Sequence, residues 1–412
     1  MTLLPQQKSA LNKINKVKVG ALFMEPGTGK TRVAYNLVNL VKNIDYLLYL
    51  APYRLINSAN DNEGIKHEIS KCGGFNFHVD YVGIESLSNS DRLYLQLIES
   101  ISKSKKPFII CDESIKIKNI DAIRTQRIIA LGKMAEYKLV LNGTPLTRNL
   151  LDLWAQMQFL SPNILGMGYN EFVDSFVEYS VVSNKLNSNA YKNLIIKDYH
   201  NIDYLYSLIE HFVFQSNLDI SVNKRKIEVE YTIDNELKED YRKLKDYFLS
   251  IDTLDSMDNN IFLAMTQKLQ QSYSCSSSKI KVVKSIISKH KDVLIFCKYD
   301  KSEALLKSKF PNSRILKYGK HSYGLNLQDY NCTIFFDKTF DYGQLVQAEN
   351  RTYRTGQKNT CYYYNLTGDV PLENLINSNI ERKTDLLDYF KTIIGEKWAQ
   401  KNILKRTFIN LL

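Results

Sequence analysis

Three groups of residues in this 412-residue sequence have the types and spacing to do chemistry together. The first is Glu25-Pro26-Gly27-Thr28-Gly29-Lys30-Thr31, set between the apolar run Val19 to Met24 and a stretch of helical composition from Thr31 to Val41. A strand, a Gly-rich turn and a helix opening on Gly-Lys-Thr are what a phosphate-binding loop requires. Glycines let backbone N–H groups curl around a phosphate, and the helix N-terminus adds partial positive charge. In this reading Lys30 reaches the β- and γ-phosphates and the Thr31 hydroxyl binds Mg²⁺. The second group is Asp112-Glu113, where the run Phe108-Ile109-Ile110-Cys111 ends. Asp112 is assigned to the metal and Glu113 to orienting and deprotonating the attacking water. An Asp-Glu pair can also cap a helix, but the buried strand before it and the phosphate loop upstream favour the catalytic reading. The third group is Arg351 and Arg354; three apart, they share one face of a helix. Reaching a γ-phosphate from a facing domain, they would be arginine fingers, worth about 10³–10⁵ in rate. By residue type alone, two surface arginines are the better explanation.

The elements that must position these groups alternate. After the loop helix, Tyr46 to Leu50 reads as a buried strand ending at Ala51-Pro52, with Tyr53 and Arg54 at its C-terminal edge, where α/β sheets place ligands. His78 to Ile84 is a further strand, followed by Glu85, Ser86 and Ser88. Lys138 to Leu141 is another, running into Asn142-Gly143-Thr144-Pro145, and Leu150 to Leu160 is helical. Alternating strands and helices predict a parallel sheet covered on both faces. From about Asn163 to Asn223 the pattern reads as mostly helical, without sheet-like runs, and Lys185 to Asn193 as a polar loop. A charged helix is expected over Asn235 to Ser250, and the Ser-rich stretch Ser272 to Ser278 as a solvated connection. A second α/β series starts near Lys279, with strands at Asp292 to Cys297, Arg314 to Tyr318 and Cys332 to Asp337.

Composition bounds the rest. The hydrophobic content of 44% and charged content of 24% are those of a soluble globular protein with a substantial core. The 55 Lys and Arg outnumber 44 Asp and Glu, and a net charge of +11 favours a polyanionic partner such as nucleic acid. Six scattered cysteines without a Cys-x-x-Cys pair argue against a zinc motif or a disulfide framework and fit a reducing cytoplasm. No cleavable signal pattern and no membrane-length apolar run are present, so a cytoplasmic protein with no membrane partner is expected. Just before the loop, Leu3-x-Pro5-x-Gln7 places an amide able to read an adenine edge.

In combination these stretches resemble the Swi/Snf-type ATPases of helicase superfamily II. Leu3-x-Pro5-x-Gln7 is similar to the Q motif, Glu25 to Thr31 to motif I and Ala51-Pro52 to motif Ia. Asp112-Glu113-Ser114-Ile115-Lys116-Ile117-Lys118-Asn119 resembles the family's acidic motif, which is extended by a basic residue and Ile-Lys-Asn. Asn142 to Asn149, with Leu153-Trp154 and Phe159 to Pro162, is similar to the segment that follows. Val293 to Phe296 looks like motif IV, and Gly324-Leu325-Asn326-Leu327 like motif V. Gln347-Ala348-Glu349-Asn350-Arg351-x-x-Arg354-x-Gly356-Gln357 looks like motif VI. Ile115 stands where the family usually has His, Asn142 where it has Thr, and Met24 where the general loop pattern has Gly. The segment between motifs IV and V is short by about one strand-helix unit, a compactness that resembles phage and mobile-element members.

The resemblance implies an α/β fold of two RecA-like parallel-sheet lobes with helical protrusions, binding ATP and Mg²⁺ in the cleft between them. It implies lobe one at 1–162, a helical protrusion and linker at 163–225, the start of lobe two with a second protrusion at 226–278, lobe two at 279–395 and a tail at 396–412. It assigns Gln7, Glu25, Pro26, Gly27, Thr28, Gly29, Lys30, Thr31 and Gly324 to nucleotide, and Thr31 and Asp112 to metal. Catalysis falls to Lys30, Asp112, Glu113, Gln347, Arg351 and Arg354. Arg54, Lys116, Lys118, Arg148 and Lys298 are the candidate contacts to double-stranded DNA. The implied activity is DNA-dependent ATP hydrolysis coupled to translocation on duplex DNA by a monomer. The alternatives are a strand-separating or branch-migrating helicase and an ATP-switched DNA-binding regulator.

Overall fold

The computed structural model describes residues 3–57, 64–143, 145, 150–182, 193–218, 220–248, 259–318, 327–354, 356–378 and 380–382. Two compact units divide between Asn217 and Leu218.

In the first unit, β1 (Val19–Met24), β2 (Tyr46–Ala51), β3 (His78–Gly83), β4 (Pro107–Asp112) and β5 (Tyr137–Asn142) lie in one sheet. A hairpin of β6 (Val177–Val182) and β7 (Asn193–Tyr199) follows, and β8 (Val213–Ser216) returns to the sheet beside β1. The order is β3-β2-β4-β5-β1-β8, and every pairing is parallel. Strands such as Tyr46–Ala51 are buried along their whole length, as apolar runs covered on both faces must be. Val33, Ala34, Leu37 and Val38 of the helix Lys30–Leu40 pack on Leu22, Met24, Leu47 and Leu141. This core holds β4, β5 and β1 side by side, so their C-terminal ends form one edge. Registers Asp112 to Leu141 and Phe23 to Asn142 put the acidic pair, Asn142 and the phosphate loop along it.

The second unit holds β9 (Lys224–Tyr231), β10 (Val293–Cys297), β11 (Arg314–Lys317), β12 (Cys332–Phe335) and β13 (Cys361–Gly368). Their order is β11-β10-β12-β13-β9, again all parallel. The α/β fold class expected from the sequence is therefore present twice.

Three expectations need correction. The stretch from Asn163 to Asn223 is not mainly helical: it contains β6, β7 and β8, and the division at Asn217 falls inside it. Short strands with mixed faces gave no period to read, and β6 and β7 pair only with each other. Ser272 to Ser278 is not a solvated connection. Ser274 and Ser276 are buried between the helices Asn259–Tyr273 and Ser277–Ile287. Asp234 accepts from the Ser277 N–H at 2.7 Å and from its hydroxyl at 2.9 Å. Finally, Arg351 and Arg354 do not share a helix, because Tyr342–Glu349 ends before them. The Glu349 carbonyl accepts from Thr352 N–H and Tyr353 N–H, and Leu327 N–H bonds to the Arg351 carbonyl, so the chain turns there instead of continuing. The expected polar loop at 185–193 lies outside the described residues, except Asn193 in β7.

Candidate nucleotide site

The loop after β1 is shaped by two glycines in the left-handed region, Gly27 at φ 88° and Gly29 at φ 85°. Thr28 is fully buried between them, its hydroxyl donating to the Glu25 carbonyl at 2.6 Å and its N–H to the same oxygen at 3.2 Å. Gly29 has a second constraint: a Cβ there would meet Gln7 Nε2 at 2.3 Å. Gln7 is buried against the loop, donating to the Thr28 carbonyl at 2.9 Å and accepting from Leu4 N–H at 3.1 Å. One donor of its amide thus holds the loop and one acceptor caps the helix Pro5–Ile14 at Leu4, and a second of each remains. Lys30 Nζ donates to the Met24 carbonyl at 2.9 Å, folding back over the loop's start. Gly143, after β5, closes the other side: a Cβ there would sit 2.8 Å from Pro26 Cδ and 3.5 Å from Lys30 Nζ.

Asp112 is buried at the end of β4. Its Oδ1 accepts from Glu113 N–H at 2.9 Å and its Oδ2 from the Tyr49 hydroxyl at 3.0 Å. Burial, with the Glu113 carboxylate beside it, pushes its pKa up to about 6; Lys30, Tyr49 and the Glu113 N–H act the other way. A carboxylate that its surroundings under-compensate is one that favours a nearby cation. Glu113 itself sits at φ 51°, a left-handed conformation uncommon for a non-glycine residue. Such strain clusters where side-chain direction matters.

Behind the edge runs a buried polar chain that the motif reading missed in part. Ser114 Oγ donates to Gln156 Oε1 at 2.6 Å, and Gln156 Nε2 donates to the Pro145 carbonyl at 3.0 Å and to the Asp152 carbonyl at 2.9 Å. Asn142 Nδ2 reaches Ser114 Oγ and Gln156 Oε1, both at 3.5 Å. The turn after β4 and the turn after β5 are thereby tied through one glutamine. A lone buried glutamine in the apolar helix Asp152–Leu160 was the available signal. Ile115 packs into the core, buried.

Thr31 and Asp112 fit a magnesium ion brought in by nucleotide. Among the described residues no group of three His, Cys, Asp or Glu could hold a metal by itself. Mg²⁺ commonly takes only one or two carboxylates, completing its shell with phosphate oxygens and water.

The remaining candidates lie as follows. Arg54 is exposed on the short helix Tyr53–Ile56, beyond the end of β2. Lys116 is 3.7 Å from Glu85, whose other oxygen accepts from Tyr53 N–H at 2.8 Å, and Lys118 closes the same turn. In the second unit Lys298 is half-buried, with Nζ 3.4 Å from Gln270 Oε1 and over the rings of Tyr299 and Phe340. Burial lowers its pKa, against the pull of Asp337. Gln347 lies in the helix Tyr342–Glu349, and Arg351 and Arg354 in the turns after it, both partly exposed. Gln357 holds those turns, its Nε2 donating to the carbonyls of Gln328, Tyr330 and Thr352. Glu349 is buried and ion-paired to Lys224 and to Lys226 at 2.8 Å. Burial pushes its pKa up, but the two lysines outweigh that and hold it below the usual range. Gly324 and Arg148 lie outside the described residues, as does Thr144.

Comparison with known proteins adds what geometry does not. Residues 81–320, more than half of the chain, match the model of the SNF2-related domain. A "Transcriptional regulator ATRX homolog" of Drosophila melanogaster is 24% identical over 155 residues, 38% of this chain and 11% of that protein. "Zorya protein ZorD" of Escherichia coli O139:H28 is 36% identical over 78 residues, 19% of this chain and 7% of that protein. "Helicase swr1" of Schizosaccharomyces pombe is 38% identical over 73 residues, 18% of this chain and 6% of that protein. The chain thus spans only a small part of these relatives' length. Among solved structures, the Sulfolobus solfataricus SWI2/SNF2 ATPase core in complex with dsDNA covers 98% of this chain, which covers 96% of it, at 18% identity and a TM-score of 0.42.

Proposed function

This chain belongs to the SNF2-related family of helicase-like ATPases, and from that premise we propose that it hydrolyses ATP in response to duplex DNA and uses the energy to move along it. The observation that carries the proposal is the single edge of the first sheet where Lys30, Thr31, Asp112 and Glu113 come together. In this reading the loop N–H groups and Lys30 hold the phosphates, while Gln7 supports the loop and reads the adenine edge with its remaining amide capacity. Thr31 and Asp112 hold Mg²⁺, which supplies charge neutralisation at the phosphates when bound. Glu113, aimed by its left-handed backbone, orients a water and takes its proton. Arg351 and Arg354 neutralise charge developing on the γ-phosphate, and Gln347 acts with them. The net charge of +11 suits a ligand held by its phosphates. Arg54, Lys116, Lys118, Arg148 and Lys298 are the proposed contacts.

Displacement of a third strand from triplex DNA tests the coupled movement. The expected result is ATP-dependent displacement by the intact protein and none by Glu113→Gln. Separation of a forked duplex with no triplex displacement would replace the translocase by a strand-separating helicase. Among the described residues no helix is long and apolar enough to cross a membrane.

A further inference from the structure

Tyr49 lies in the middle of β2 with 0% of its surface exposed, in a strand whose sequence is Tyr-Leu-Leu-Tyr-Leu-Ala. An aliphatic side chain would fill such a position at no polar cost, whereas a buried phenol needs a partner. This one has a partner at the nucleotide edge. Its hydroxyl donates to Asp112 Oδ2 at 3.0 Å. Tyr49 pairs with Ile110 of β4, two residues before Asp112, so its side chain runs along the sheet toward the C-terminal edge. The ring is clamped from the other side by Tyr81 of β3, centroid to centroid 5.9 Å. Because Asp112 Oδ1 is already held by Glu113 N–H at 2.9 Å, the phenol fixes the second oxygen and with it the carboxylate plane.

We infer that Tyr49 is a positioning residue for the metal–nucleotide site: its phenol sets the carboxylate of Asp112, one of the two side chains assigned to the metal. The inference rests on the reading of Lys30, Thr31, Asp112 and Glu113 as that site. Groups that orient a metal's ligands commonly change metal affinity by about 10–100-fold when removed. Here the metal is shared with phosphate oxygens, so the lower end is expected.

Tyr49→Phe removes one oxygen and keeps the ring and its packing. The test is binding of a fluorescent ATP analogue, titrated with MgCl₂ and repeated in EDTA, for the intact protein, Tyr49→Phe, Asp112→Asn and the double variant. The expected result is a Mg²⁺ midpoint about 10-fold higher in Tyr49→Phe, with binding in EDTA unchanged and no further shift when Tyr49→Phe is added to Asp112→Asn. Failure of the intact protein to bind nucleotide in a Mg²⁺-dependent way sinks the site reading itself. Mg²⁺-dependent binding with the same midpoint in Tyr49→Phe overturns the role of Tyr49 alone. A lowered melting temperature with an unchanged midpoint, or a variant that does not fold, assigns Tyr49 to packing and also overturns it. An equal shift in the Asp112→Asn background shows that the phenol does not act through Asp112.

Discussion

Two buried carboxylates, one in each unit, show opposite solutions to the same problem. Asp112 and Glu349 are both removed from water at the end of a regular element. Glu349 receives two ammonium groups, from Lys224 and Lys226, and its pKa falls. Asp112 receives a phenol, one backbone N–H and the field of Lys30, while Glu113 adds a like charge, and its pKa rises to about 6. The first arrangement is balanced by its two lysines and ties the end of the helix Tyr342–Glu349 to β9. The second is stabilised by added positive charge. Both carboxylates are buried, and what separates them is the count of compensating charges.

The comparison can be broken at several points. The largest effect is expected at Glu113→Gln, which removes the proposed base beside Asp112: ATP turnover should fall by about 10²–10⁴-fold while nucleotide binding persists. Steady-state hydrolysis with parallel binding measurements checks both halves. Next is Glu349→Ala, which leaves two lysines facing a buried gap. Denaturant unfolding should show a loss of about 1–3 kcal/mol, below the figure for a fully buried pair because Lys226 is half-exposed. The sign with pH follows from the lowered pKa: Glu349 stabilises the fold above its unfolded value and ceases to do so as pH falls through the folded one. The gap between the intact protein and Glu349→Ala should therefore close in acid.

Asp112→Asn should do the reverse, and more weakly. With its pKa raised from the ordinary 3.8 to about 6, Asp112 costs the nucleotide-free protein stability progressively between those values and fully above them. The variant should melt about 2–4 °C higher than the intact protein near neutrality, with the difference vanishing below the ordinary carboxylate pKa. A variant that melts lower at every pH would show that its hydrogen bonds, not its charge, dominate.

Much of this was legible in the sequence because it was local. Strands such as Val19–Met24 and Pro107–Asp112 are apolar runs ended by Gly or acid, and the structure places them within a residue of expectation. The loop chemistry of Gly27, Gly29 and Lys30 is likewise written in adjacent positions. Long-range pairings were not legible. Tyr49, Gln156 and Lys224 of β9 matter through partners 63, 42 and 125 residues away, a distance at which residue type says nothing about contact. The strands Val213–Ser216 and Cys361–Gly368 were missed for a related reason: the first is four residues long, and the second is rich in tyrosine without clean alternation. The expected arginine helix failed because the period of two side chains cannot report that the helix gives way to turns after Glu349.

The most direct test of the central claim is ATP hydrolysis measured with no nucleic acid, single-stranded DNA, duplex DNA and RNA, with Lys30→Ala as the blank. Strong stimulation by duplex DNA that disappears in Lys30→Ala is the predicted result. Turnover that is absent with every nucleic acid, or that survives in Lys30→Ala, would contradict it.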